Sequence, residues 1–184
     1  MPGINPAFFF TFTIKMPTKK EAVASAFYKG YIDSAKGNEP LKALKKNTKE
    51  FKKLFAGIPE KKIDYAYANG KWTIREILQH IIDAERVFAY RALRFARKDQ
   101  TPLQSFDQNA WVAQAKTGKR DWKELIKEFG AVRKSSEILF ASFDDEQLLS
   151  AGIASENPIN VLALGFIIAG HATHHLDIIK DRYL

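Results

Sequence analysis

The chain has 184 residues, 46% of them hydrophobic and 27% charged, and it contains no cysteine. That is one domain's worth with enough apolar mass for a core; it excludes a disulfide framework, a thiolate zinc site and a cysteine nucleophile. The net charge of +8 invites a nucleic-acid reading, but residues 1–70 carry an excess of +7 and residues 71–184 only +1.

The opening, MPGINPAFFFTFTIK, is apolar but has no basic region before Phe8–Ile14, which makes it a poor signal peptide. A second Met-Pro at Met16-Pro17 precedes a charged, helix-like stretch. Either translation starts there, or Phe8–Phe10 belong to a strap over the core. The first 3.6-residue pattern runs from about Glu39 to Phe55 on Leu41, Leu44, Phe51, Leu54 and Phe55, and Gly57-Ile58-Pro59 ends it. Its lysines, Lys42, Lys45, Lys46, Lys49, Lys52 and Lys53, hold most of the basic excess. With no helix-turn-helix, finger or RNP pattern beside them they read as a solvated face, so no specific nucleic acid is expected.

The second helix is expected from about Ile74 to Lys98, opened by the capping box Thr73–Glu76 and striped by Ile77, Ile81, Ala84, Phe88 and Phe95. About twenty residues follow, Asp99–Arg120, with a short helix around Asp107–Ala115. So long a connection lets neighbouring helices run parallel. A third helix runs from about Trp122 to Phe140 behind Asp121 and Glu124, with Trp122, Leu125, Phe129, Val132 and Leu139 facing inward. Asp144–Leu149 supplies another helical turn, and Gly152–Pro158 reads as a loop. The fourth helix runs from about Val161 to Arg182, N-capped by Asn160. No strand alternation is long enough for a sheet, and no stretch is read as reaching the roughly 18 apolar residues of a bilayer span. The fold class is therefore all-α.

All four histidines, His80, His171, His174 and His175, fall on the second and fourth helices. At about 100° per residue, His175 lies about 40° from His171, within the apolar stripe, and His174 about −60°, on its edge. His171 and His175 can therefore chelate one ion. His80 shares the stripe of its own helix with Ile77, Ala84 and Phe88. Three imidazoles leave coordination positions open, the catalytic pattern for zinc, though nickel, copper and iron(II) also take imidazole. Ala172 stands where H-E-x-x-H has its glutamate, which excludes the zincin mechanism. The competing reading is a set of hydrogen-bonded core histidines. Arg91 and Arg182 share these faces: each binds an acidic substrate group, or each pairs with a carboxylate such as Asp83, Glu85 or Asp107. Asp83 is a candidate acceptor orienting His80, a fourth ligand, or a solvated carboxylate.

The stretch GKWTIREILQHIIDAERVFAYRALRFARKD resembles the second helix of the DinB-like (DinB/YfiT) metalloenzyme superfamily. TPLQSFDQNAWVAQA and ENPINVLALGFIIAGHATHHLDIIKDRYL resemble later parts of it. The resemblance covers about Tyr31–Leu184 and leaves residues 1–30 as an extension. It implies a four-helix bundle in up-down-down-up order, and a metal triad of His80, His171 and His175 holding one divalent ion, zinc or nickel. His174 is not a ligand in that pattern.

The resemblance implies no single reaction. It admits an S-transferase using a low-molecular-weight thiol, a metal-dependent hydrolase, or a non-catalytic metal-binding stress-response module. A small-molecule substrate, no membrane, a cytoplasmic location and a homodimer are further expectations. Trp111, on the short helix, either anchors the dimer or caps the bundle.

Overall fold

The computed structural model describes residues 16–184; Phe8–Ile14 and the strap reading lie outside them. The elements are α1 (Ala26–Ser34), α2 (Pro40–Ala56), α3 (Glu60–Ile63), α4 (Ile74–Ala96), α5 (Gln108–Gln114), α6 (Trp122–Ala141), α7 (Asp145–Leu149), β1 (Ala151–Ala154), β2 (Asn157–Asn160) and α8 (Val161–Arg182). Helix starts follow the expected side chains. Thr73 Oγ1 accepts from the Glu76 amide while the Glu76 carboxylate accepts from the Thr73 amide. Asp121 caps α6, and Asn160 caps α8 through the Ala163 amide at 2.9 Å. Each supplies an oxygen to an amide the first helical turn leaves unpaired.

Helix directions follow from the contacts. Asn47 meets Thr173 and Pro40 meets Gly165, so α2 and α8 run parallel. Arg120 meets Gln79 and Arg133 meets Glu85, so α4 and α6 run parallel. Thr48 meets Glu137 while Phe51 stacks on Phe129, so the two pairs oppose each other. The result is an up-down-down-up bundle, and the long α4–α6 connection makes the second parallel pair possible.

Helix α8 is the centre of the bundle. Val161–Thr173 is buried without a break. This corrects the expectation on apolar length: α8 carries an 18-residue window of mean hydropathy 1.3, long and apolar enough for a span by composition. Within the bundle 83% of that window is buried, since the helix is surrounded by α1, α2 and α4 rather than striped on one side.

Two further differences from the sequence reading bear on the site. The helix α1 packs on α8, and the Tyr31 carbonyl lies where a Cβ on Gly170 would be, 1.8 Å away. Only glycine admits so close a backbone approach. The boundary expected at residue 31 therefore falls inside this helix. The stretch expected to be a loop is a β-hairpin, with Ala151 opposite Asn160 and Ala154 opposite Asn157. Its turn residues, Ser155 and Glu156, both have positive φ, at 50° and 65°. That is the backbone of a two-residue hairpin turn, built without glycine or asparagine.

Candidate metal centre

The three stripe histidines converge where α4 crosses α8. His80 Nε2 lies 2.9 Å from His171 Nε2, and His175 Nε2 lies 3.2 Å from the same atom. All three side chains are buried, and their donor atoms lie within 4.8 Å of one another. The surroundings are largely aromatic: Trp72 lies over His80 at 4.9 Å, and Tyr31 and Phe88 meet His171 edge-on. Burial lowers the pKa of His80 to about 4. Burial, then the fields of His80 and His174, lowers that of His175 to about 3. His171 falls well below 6.5 through burial first and its three histidine neighbours second. All three are neutral at pH 7, the form that ligates.

This donor set fits a divalent cation better than a hydrogen-bond network. A neutral ring nitrogen carries one N–H or one lone pair. His171 Nε2 faces two other ring nitrogens and can share a proton with only one of them. His175 Nδ1 is buried with no hydrogen-bond partner. For nitrogens about 2.0–2.1 Å from a tetrahedral zinc, the nitrogen–nitrogen separation is about 3.3 Å. The two observed contacts are close to that value, and the third pair lies within 4.8 Å.

The centre opens on two sides. His80 and His171 border a cavity of about 450 Å³ with Tyr28, Tyr31, Phe88 and Arg91. His175 borders a second cavity of about 220 Å³ with Tyr67, Trp72 and Tyr183.

The other expected residues separate. Arg91 is buried at 2% exposure in the larger cavity. His174 is exposed and packs on Tyr31 and His175, away from the convergent nitrogens. Asp83 does not reach His80: it accepts from Gln79 at 2.9 Å, faces Arg86 at 3.6 Å, and borders a groove with Arg120 and Trp111. Its helical phase of about −60° from His80 puts it on the flank facing α6. Arg182 is exposed in the last turn of α8 and borders neither cavity of the centre. Trp111 is 44% exposed and packs on Phe106.

Sequence reasoning missed a buried polar network beside the centre. Arg133 of α6 holds the Glu85 carboxylate of α4 with Nε and Nη2, both at 2.8 Å, and donates to Asn47 Oδ1 of α2 at 2.7 Å. Asn47 donates to Thr173 Oγ1 of α8 at 3.0 Å, and Thr173 donates to the Ala169 carbonyl. All four long helices are tied by one chain of bonds, and Thr173 lies between the two α8 histidines. Tyr28 and Tyr31 were also missed as cavity residues, because α1 carries only a short apolar pattern.

Comparisons with known proteins agree with this architecture. Residues 43–179 match the family profile described as the DinB superfamily. A protein of Oceanobacillus iheyensis, provisionally named a metal-dependent hydrolase, is 27% identical over 145 residues, covering 78% of this chain and 83% of its own. The structure of YfiT from Bacillus subtilis, described provisionally as a metal-dependent hydrolase with an unusual four-helix bundle topology, superposes with a TM-score of 0.69. It is 15% identical, with 91% of this chain and 92% of that one covered.

Proposed function

We propose that this chain, which belongs to the DinB superfamily, is a metal-dependent hydrolase whose ion is held by His80, His171 and His175. The observation that carries the reading is the convergence of three buried, neutral imidazoles beside a 450 Å³ cavity. That volume lies within the range of small-molecule sites, about 300–1,000 Å³. The provisional hydrolase name of the Oceanobacillus relative supports the reaction class. Zinc is the first candidate ion and nickel the second, since three histidines with open positions suit both.

A divalent ion at such a site supplies Lewis-acid chemistry, polarising a bound oxygen and lowering the pKa of bound water. The chain's own residues do the rest. Phe88 and Tyr28 exclude water from the cavity wall, which strengthens electrostatic interactions inside it. Burial pushes the Tyr31 phenol up, so Oη keeps its proton near neutral pH and can donate it to a substrate oxygen.

A second reading is a thiol-dependent S-transferase. It is favoured by the two cavities that meet at the histidines, one for each of two substrates. Zinc-loaded protein assayed on a panel of small esters and amides, with and without a low-molecular-weight thiol, separates the two. Hydrolysis without thiol, proportional to bound zinc and lost in His80→Ala, supports the hydrolase. Turnover only with added thiol supports the transferase, and no turnover of any substrate by a loaded site overturns both.

A further inference from the structure

The larger cavity holds a cation that the fold does not neutralise. Arg91 is 2% exposed, yet among the described residues no carboxylate is paired with it. The three expected partners are engaged elsewhere. Asp83 bonds to Gln79 and faces Arg86. Glu85 is taken by Arg133. Asp107 borders the cavity but is exposed, and its Oδ1 caps α5 through the Asn109 and Ala110 amides. Among the described residues only Nη2 of Arg91 has hydrogen-bond partners, the Gln104 carbonyl at 2.6 Å and Ser155 Oγ at 3.0 Å. Those two bonds pin the guanidinium between the α4–α5 connection and the hairpin turn. Nε and Nη1 are left for the cavity. A buried cation without a counter-charge is unfavourable, and an arginine fork matches a carboxylate in two parallel hydrogen bonds.

The cavity floor gives this cation a direction. His80, Ala84, Phe88 and Arg91 lie on one face of α4 and border the same cavity. Helical rise puts the Cα atoms of His80 and Arg91 about 16 Å apart. The span between them is apolar and aromatic, with Tyr28 edge-on to Phe88 and Phe106 on the same cavity's lining. Among the described residues Arg91 is the sole Lys or Arg lining the cavity. With the exposed Asp107 carboxylate also on the lining, a monoanionic carboxylate suits this cavity better than a phosphate dianion, whose second charge would face Asp107.

We propose that Arg91 is the specificity residue of this site, binding the carboxylate of a substrate whose apolar middle lies along Ala84 and Phe88. The substrate class is then an ester or amide of an acid that carries a free carboxylate at the far end from the scissile group. This rests on the hydrolase reading for the scissile group, and on Arg91 alone for the carboxylate.

The test uses 4-phenylbutanoate and 4-phenylbutan-1-ol, which have the same apolar span and differ in charge. Neither can be hydrolysed, so binding is read apart from turnover. Their dissociation constants are measured by equilibrium dialysis at pH 7.5 on the zinc-loaded full chain, and again after chelation to remove any carboxylate held by zinc. The wild type is expected to bind the acid about ten-fold or more tightly than the alcohol in both states, the strength of a charge-assisted pair. Arg91→Met should reduce acid binding to the level of the alcohol and leave the alcohol unchanged. Arg91→Lys should keep part of the preference, and circular dichroism checks both variants for folding. Equal binding of acid and alcohol by the wild type overturns the proposal whether or not the variants fold. A preference that survives Arg91→Met in folded protein also overturns it. Failure to hydrolyse any ester while the carboxylate preference stands would remove the hydrolase reading and leave the Arg91 site.

Discussion

Replacing Arg133 by methionine should destabilise the protein more than any change to a surface charge. Arg133 is 0% exposed and Glu85 2%. The substitution removes three guanidinium bonds to Glu85 and the 2.7 Å bond to Asn47, leaving a carboxylate sealed in the bundle. Removing one partner of a buried pair costs about 3–5 kcal/mol. The orphaned Asn47 oxygen adds about 1–3 kcal/mol. Those losses rival the whole stability of a typical domain, about 5–15 kcal/mol. Arg133→Met combined with Glu85→Leu should recover most of the loss, because an apolar pair replaces an ionic one at little net cost. Urea unfolding at pH 7 measures the wild type, both single variants and the double variant. A loss under about 1 kcal/mol in the single variant, or a double variant as unstable as the sum of the singles, would refute the reasoning.

Three further outcomes follow from the same structure. Gly170→Ala places a methyl on the Tyr31 carbonyl and should push α1 away, costing about 1–3 kcal/mol in thermal unfolding while the metal stays bound. In metal-free protein the folded His80 pKa of about 4 lies below the unfolded value of about 6.5. The unfolded chain therefore binds more protons in that window, and stability present above pH 6.5 should fall by about 3 kcal/mol from His80 alone as pH drops toward 4. Stability that is flat from pH 7 to pH 4 in chelated protein would contradict the burial of these rings. A chain beginning at Met16 should keep the bundle and its full metal content, measured by mass spectrometry of the metals; loss of metal would show that residues 1–15 serve the centre.

The four long helices were legible because amphipathic stripes and side-chain caps are local signals. Thr73, Asp121 and Asn160 each act at the position the pattern gives them. The hairpin was not legible because its alternation runs against polarity. Ile153 points out at 40% exposed while Gly152 and Ala154 point in, and the turn lacks glycine. Arg133 was illegible because periodicity treats arginine as a surface residue. Its burial becomes reasonable only once Glu85 and Asn47 arrive from other helices. The shared face of His171 and His175 was legible since i,i+4 spacing fixes it, while the approach of His80 to them was expected from the stripe of its own helix and from the family resemblance. The fates of Asp83 and Arg182 were not, because helical phase says which way a side chain points and not what lies opposite it.

The most direct test of the account is the metal content of untagged protein and four single variants, each confirmed as folded. Wild type and His174→Ala should hold one divalent ion per chain, because His174 is exposed and outside the convergent nitrogens. His80→Ala, His171→Ala and His175→Ala should hold none at stoichiometric level. A wild type that binds no divalent ion, or a site emptied by His174→Ala and still loaded in His175→Ala, would contradict it.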